Sequence, residues 1–163
     1  MTIVVADTGP LNYLHIIGQL EILPALYGEV LVLPAVLREM MHPHAPPGLR
    51  LVAQNPPPWF QVRTPGHVQF LDLFDDGEAE AISLAVELRA QRLLIDERDG
   101  RRSAIALGLR IRGTLGILEE ASERRLLNLA EALDALRQTT FRADAALYEA
   151  ALQRDRIRRS QSL

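Results

Sequence analysis

Ile3-Val4-Val5-Ala6-Asp7-Thr8-Gly9-Pro10-Leu11 is the stretch on which the fold turns. Its first four residues form an apolar, mostly β-branched run, the composition of a strand buried on both faces. Asp7 or Thr8 can then cap a helix, and Pro10 suits its first turn. A buried strand therefore feeds straight into a helix, with an acidic side chain at the junction. A carboxylate that closes a buried strand is costly to desolvate, so Asp7 calls for more than a surface role.

Working outward, the same unit repeats. Leu11, Leu14, His15 and Ile17 recur at roughly helical spacing until Gly18, and residues 20–26 make a second short helical stretch. Residues 30–33 read as a second buried strand that ends at Pro34, with Val36, Leu37, Met40 and Met41 on the next helix. Residues 42–58 carry Pro43, Pro46, Pro47, Pro56, Pro57 and Pro58, which predicts an extended excursion with at most a little helix near 49–52. A weak strand at 60–62 and a short helix at 68–74 follow. Asp75-Asp76-Gly77-Glu78 opens a strong helix with Ala79, Ile82, Ala85 and Val86 on its apolar stripe. Residues 93–95 form a buried strand ending on Asp96. Residues 101–107 are helical up to Gly108, 109–111 make a last short strand, and Gly113-Thr114 leads into a helix over 115–121. From 123 to 155 the pattern is helical, with breaks near Asn128 and Thr139-Thr140.

Short β-α connections predict a mostly parallel sheet covered on both faces. Such sheets bind ligands beyond the carboxyl ends of their strands, where the strand order reverses. Asp7 and Asp96 fall at such ends. Glu39 and Glu78 lie on early turns of helices, so carboxylates from four places are expected to converge within metal-bridging reach. Mg²⁺ and Mn²⁺ prefer such oxygen ligands, and carboxylates packed together repel unless something positive binds them. A cation held there suits phosphodiester hydrolysis.

Composition narrows the alternatives. At 163 residues and 48% hydrophobic, the chain fits one globular domain of ordinary size. A net charge of -3 gives no global pull toward nucleic acid, so any such contact has to be local. Lys is absent, which excludes a P-loop lysine and Schiff-base chemistry. Cys is absent too, which excludes disulfides, thiolate zinc sites and cysteine nucleophiles. No cleavable apolar leader or bilayer-spanning run is present, so a soluble, cytoplasmic protein is expected, with no membrane association.

Plainer readings cover several of the charged residues. Asp75 and Asp76 need nothing beyond the helix dipole, and Glu80, Glu87 and Glu97 read as solvated. His15, His42, His44 and His67 show no metal-ligand spacing. Arg98, Arg101 and Arg102, beside Asp96, suit either phosphate contact or a solvated helix face.

Taken in order, Ile3-Val-Val-Ala-Asp7-Thr-Gly-Pro-Leu, Glu39, Gly77-Glu-Ala-Glu-Ala-Ile82, Leu94-Ile-Asp96-Glu-Arg and Gly113-Thr-Leu-Gly-Ile117 resemble the PIN-domain family, and more narrowly its VapC-like DUF3368 subgroup. The resemblance covers roughly residues 1–122. It implies a three-layer α/β/α fold with a central, mostly parallel sheet, a nuclease domain over 1–122, and extra C-terminal helices over 123–163. It also implies a Mg²⁺- or Mn²⁺-dependent ribonuclease with RNA as substrate, often a dimeric toxin paired with a small antitoxin. Residue by residue, Asp7, Glu39 and Asp96 match the first, second and fourth catalytic, metal-holding acids. The third, usually Asp, falls on Glu78 or Glu80. Glu78 is the match, since it lies at the helix opening, and Glu80, about 200° around the helix, stands as an auxiliary acid. Thr8 matches the hydroxyl residue after the first acid, and Asp99 stands as an auxiliary acid.

Two other enzyme classes fit less well. Asp7-Thr8-Gly9 is also the aspartic-protease tripeptide, but that fold is all-β and Pro10 starts a helix here. A haloacid-dehalogenase phosphatase wants Asp where Gly9 stands. A further alternative is a PIN-like scaffold that has lost turnover and serves as a binding or dimerising module. Leu126, Leu127, Leu129, Leu133 and Leu136 recur with apolar spacing, which suits a homodimer interface or a helix folded back on its own chain.

Overall fold

Three strands of the sheet are buried along their whole length or nearly so, which is why their sequences read as apolar runs rather than alternating ones. The structure is a computed structural model, and it describes residues 2–69 and 76–162. The chain runs β1 (Val4–Ala6), α1 (Thr8–Ile16), α2 (Ile22–Tyr27), β2 (Val30–Val32), α3 (Pro34–Met40), α4 (Pro47–Gln54) and β3 (Phe60–Val62). It continues with α5 (Asp76–Glu87), β4 (Arg92–Leu94), α6 (Arg98–Ala106), β5 (Ile111–Arg112), α7 (Thr114–Glu123), α8 (Leu129–Arg137) and α9 (Ala145–Gln161). The sheet is parallel throughout, in the order β3-β2-β1-β4-β5, and helices cover it in a three-layer α/β/α arrangement.

The strand order places the functional edge. From β1 the chain steps outward to β2 and β3, then returns to lay β4 on the other side of β1. The order therefore reverses between β1 and β4. Val5 pairs with Leu93 and Ala6 with Leu94, and the Asp7 amide donates to the Leu94 carbonyl at 2.9 Å. Asp7 and Asp96 thus leave adjacent strands at the switch point.

Three local expectations change. The proline-rich excursion holds a full eight-residue helix, α4. Pro46 and Pro47 occupy its cap and first turn, where a missing N–H costs nothing, and its interior has no proline. The last strand begins at Ile111, because Leu109 still closes the turn off α6 by donating to the Ala104 carbonyl at 2.9 Å. Val68 and Gln69 are not helical, and residues 70–74 of the predicted helix lie outside the described residues.

The leucine stripe does not form an outer face. Leu129, Leu133 and Leu136 are fully buried in the same apolar core as β1 and β4, so they are unavailable to a second copy. Within that stripe only Leu126 is counted as exposed, at 43%. Asn128 caps α8 by accepting from the Glu131 amide at 3.1 Å. On α9, the buried Asp155 accepts from the Ser122 hydroxyl at 2.7 Å and pairs with Arg158 and Arg159 at 3.7 and 3.0 Å. Arg154 grips Glu119 of α7 through two bonds of 2.8 and 3.0 Å. No helix among the described residues is long and apolar enough to cross a membrane.

Leu133→Ala should therefore cost about 2–5 kcal/mol in urea unfolding. A loss below about 1 kcal/mol would mean that α8 packs only loosely on the domain.

Candidate active site

Asp96 is held through both of its carboxylate oxygens. Its Oδ1 accepts from the Thr114 amide at 2.7 Å and its Oδ2 from the Thr114 hydroxyl at 2.6 Å. Thr114 is the first residue of α7 and is itself buried, so the amino end of that helix faces the carboxylate with its dipole favourably aligned. Glycines make this approach possible. A Cβ on Gly113 would stand 2.9 Å from Asp96 Oδ1 and collide with the Arg101 guanidinium, and one on Gly9 would stand 3.3 Å from Asp96 Oδ2. Burial pushes the Asp96 carboxyl above the ordinary Asp range, against the two Thr114 hydrogen bonds and the charge of Arg101, which act to lower it.

Asp7 occupies the cap position of α1, yet its side chain makes no cap hydrogen bond, so helix capping does not account for an acid there. Thr8, the next residue, donates its hydroxyl to Glu39 Oε2 at 2.5 Å, which ties α3 to the start of α1. Glu78 comes from the first turns of α5. It reaches the start of α6 at Gly100, where an added Cβ would stand 3.6 Å from Glu78 Oε1 and 2.7 Å from Ile95 Cδ1.

These acids line one open cleft of about 1010 Å³ at the carboxyl edge of the sheet. Asp7, Glu39, Glu78 and Asp96 all contribute to its wall, as do Thr8, Arg98, Arg101 and Arg102. Glu80 and Asp99 do not, so the Glu78 alternative is the one that faces the other acids. The expected spacing is not met: among the described residues no three His, Asp or Glu side chains stand close enough to share an ion. Thr114 engages both oxygens of Asp96, and Thr8 engages Glu39. The donor set is entirely oxygen and mostly anionic, which suits a hard divalent cation.

Sequence reasoning missed several lining residues. Glu97, Arg112 and Glu119 reach the cleft from around β4, β5 and α7. Tyr13 reaches it from α1, and Thr140, Phe141, Arg142, Ala143 and Leu147 come from the C-terminal helical region. Thr114 stands in the Gly113-Thr-Leu-Gly-Ile117 stretch, where the motif alone assigns it no role. The signal was its place directly after a glycine at a helix start, where its amide and hydroxyl point the same way.

A parallel α/β domain with an acid-lined cleft at its switch point is the class that fold and site define. The chain belongs to the PIN-domain family: the DUF3368 family model, described as a PIN domain, matches residues 3–156. The match runs through α8 and into α9. A solved structure with a similar fold is a PilT N-terminus domain protein from the hyperthermophilic archaeon Sulfolobus solfataricus. It is 17% identical, with a TM-score of 0.51 over 88% of this chain and 100% of that one. Among curated proteins none matches significantly.

Asp96 gives a test with a definite sign. Its folded pKa is raised, so the stability it contributes is present while it is protonated. That stability is lost as pH climbs from the ordinary Asp range through the raised value. Once ionised, the group is therefore a burden on the fold. In EDTA, Asp96→Asn should melt no lower than the parent at neutral pH and show a smaller advantage in acid. A neutral-pH melting temperature well below the parent's would mean that the charge itself holds α7 in place.

Proposed function

We propose that this PIN-domain protein is a divalent-metal-dependent endoribonuclease of the VapC-like kind, in which Asp7, Glu39, Glu78 and Asp96 are the metal-holding, catalytic acids. One observation carries the reading. Four acids from four separate elements, β1/α1, α3, α5 and the end of β4, line a single cleft at the strand switch point.

Mg²⁺ or Mn²⁺ bound by these carboxylates would supply a water of lowered pKa and charge stabilisation on the phosphodiester. The protein's own part is orientation. Thr114 fixes Asp96 through both of its oxygens, and Thr8 steers Glu39 toward Asp7's end of the cleft. Arg98 and Arg102 line the cleft and form no ion pair with a described residue, so their guanidiniums are available to phosphate oxygens. Arg101 has a different task. It donates to the Ile95 carbonyl at 3.3 Å and lies beside Asp96, whose charge it offsets.

The toxin role, the antitoxin partner, the cytoplasmic setting and a homodimer belong to the same proposal. With Leu129, Leu133 and Leu136 inside the core, a dimer has to use other surfaces. That no three acids among the described residues stand close enough to share an ion favours one further reading, a binding module with little turnover.

The purified protein should cut single-stranded RNA with Mg²⁺ or Mn²⁺ and stop in EDTA. Asp7→Asn should abolish cutting, and Thr114→Ala should lower the rate roughly 10–100-fold, as for loss of a residue that orients a ligand. RNA binding without cleavage at any metal concentration would favour the binding module. Cleavage that survives both EDTA and Asp7→Asn would place the chemistry elsewhere.

A further inference from the structure

The connection between α8 and α9 lies against the same cleft as the acids, although it comes from the far end of the sequence. Thr140, Phe141, Arg142 and Ala143 line the cleft together with Leu147 on the first turn of α9. The connection is pinned at both its backbone and its side chains. The Thr139 hydroxyl donates to the Leu136 carbonyl at 2.6 Å and accepts from the Phe141 amide at 3.1 Å. The Phe141 ring meets Tyr13 of α1 edge-on, at 5.1 Å between centroids and 79° between planes. The Tyr13 and Thr140 hydroxyls are 3.2 Å apart. The connection is thereby fastened to the helix that begins one residue after Asp7.

What this wall presents to the cleft is one cation and an apolar surface. Arg142 is exposed and makes no ion pair or hydrogen bond with a described residue. This differs from Arg154, Arg158 and Arg159 of the neighbouring α9, which are each matched to a carboxylate. Leu147 is 52% exposed, and Ile105, which lines the same cleft from α6, is 59% exposed. A single-stranded nucleic acid offers the complement, namely negative phosphates at regular intervals and flat apolar base faces.

We propose that Arg142 is a substrate-positioning residue: it holds a phosphate away from the scissile one, so that the C-terminal helical region sets the path of the RNA strand across the acids. This rests on the ribonuclease reading above. Arg142 touches no reacting atom, so its loss should weaken binding and leave the chemical step intact.

Two measurements test it. Steady-state cleavage of a single-stranded oligoribonucleotide should show KM raised roughly tenfold in Arg142→Ala with kcat within about twofold of the parent. Arg142→Lys should recover most of the loss, because a phosphate contact needs charge rather than a specific fork. Arg156→Ala removes the same charge from an exposed position of α9 outside the cleft and should behave as the parent. Separately, binding of the same oligonucleotide in EDTA, followed by anisotropy across a salt series, should show a slope shallower by about 0.7 in Arg142→Ala. Parental KM and salt slope in Arg142→Ala would overturn the proposal while leaving the nuclease reading standing. A parent chain that binds RNA but does not cut it would sink the nuclease reading, and the salt series would then decide Arg142 alone. A kcat loss without a KM change would also overturn the proposal, by moving Arg142 into the chemistry.

Discussion

The structure depends on a desolvated carboxylate, Asp96, being brought to the point where the sheet reverses its strand order. Such a group is unfavourable in its charged form unless donors surround it. Three helix starts supply that setting. α7 gives the amide and hydroxyl of Thr114, α6 gives the charge of Arg101, and α1 comes close enough at Gly9 for its backbone to lie against the carboxylate. Gly9 and Gly113 permit this crowding around Asp96, and Gly100 permits it beside Ile95 and Glu78. At Gly113 a methyl group would displace either Asp96 or Arg101. Asp96 nevertheless keeps a raised pKa, so the fold carries the acid at some cost to itself, as functional sites commonly do.

The apolar core offsets that cost, and the C-terminal helices are part of it. Leu129, Leu133, Leu136, Tyr148 and Ala151 are buried with the strands and with Ile117 and Leu118 of α7. The region that seals α7 therefore steadies the residue that holds Asp96. The same region sends the α8–α9 connection over the cleft, so structural support and shaping of the site come from one stretch of chain.

Much of this was legible in the sequence for physical reasons. Strands buried on both faces must be apolar throughout, so β1, β2 and β4 announce themselves. An acid at the end of such a run has few structural excuses, which made Asp7 and Asp96 visible. Other features were not legible. Whether Glu78 or Glu80 faces the cleft depends on the rotation of α5. Glu78 lines the cleft and Glu80 does not. The leucine stripe looked equally fit for an interface or a core, since apolar spacing does not say which neighbour covers it. Arg142 was invisible because a lone Arg in a polar connection carries no local pattern. Only the contact of Phe141 and Thr140 with Tyr13, across more than a hundred residues, brings it to the acids.

On the proposed reading these acids hold a cation and are not merely costly charges along the wall of a cleft. A cation that binds the folded chain and not the unfolded one raises the melting temperature by mass action. The most direct measurement is the melting temperature of the full chain against Mn²⁺ concentration, compared with that of Asp96→Asn. The account predicts a rise with Mn²⁺ in the parent that is lost or much reduced in the variant. A parent melting temperature that stays flat across millimolar Mn²⁺, or an equal rise in both proteins, would contradict it.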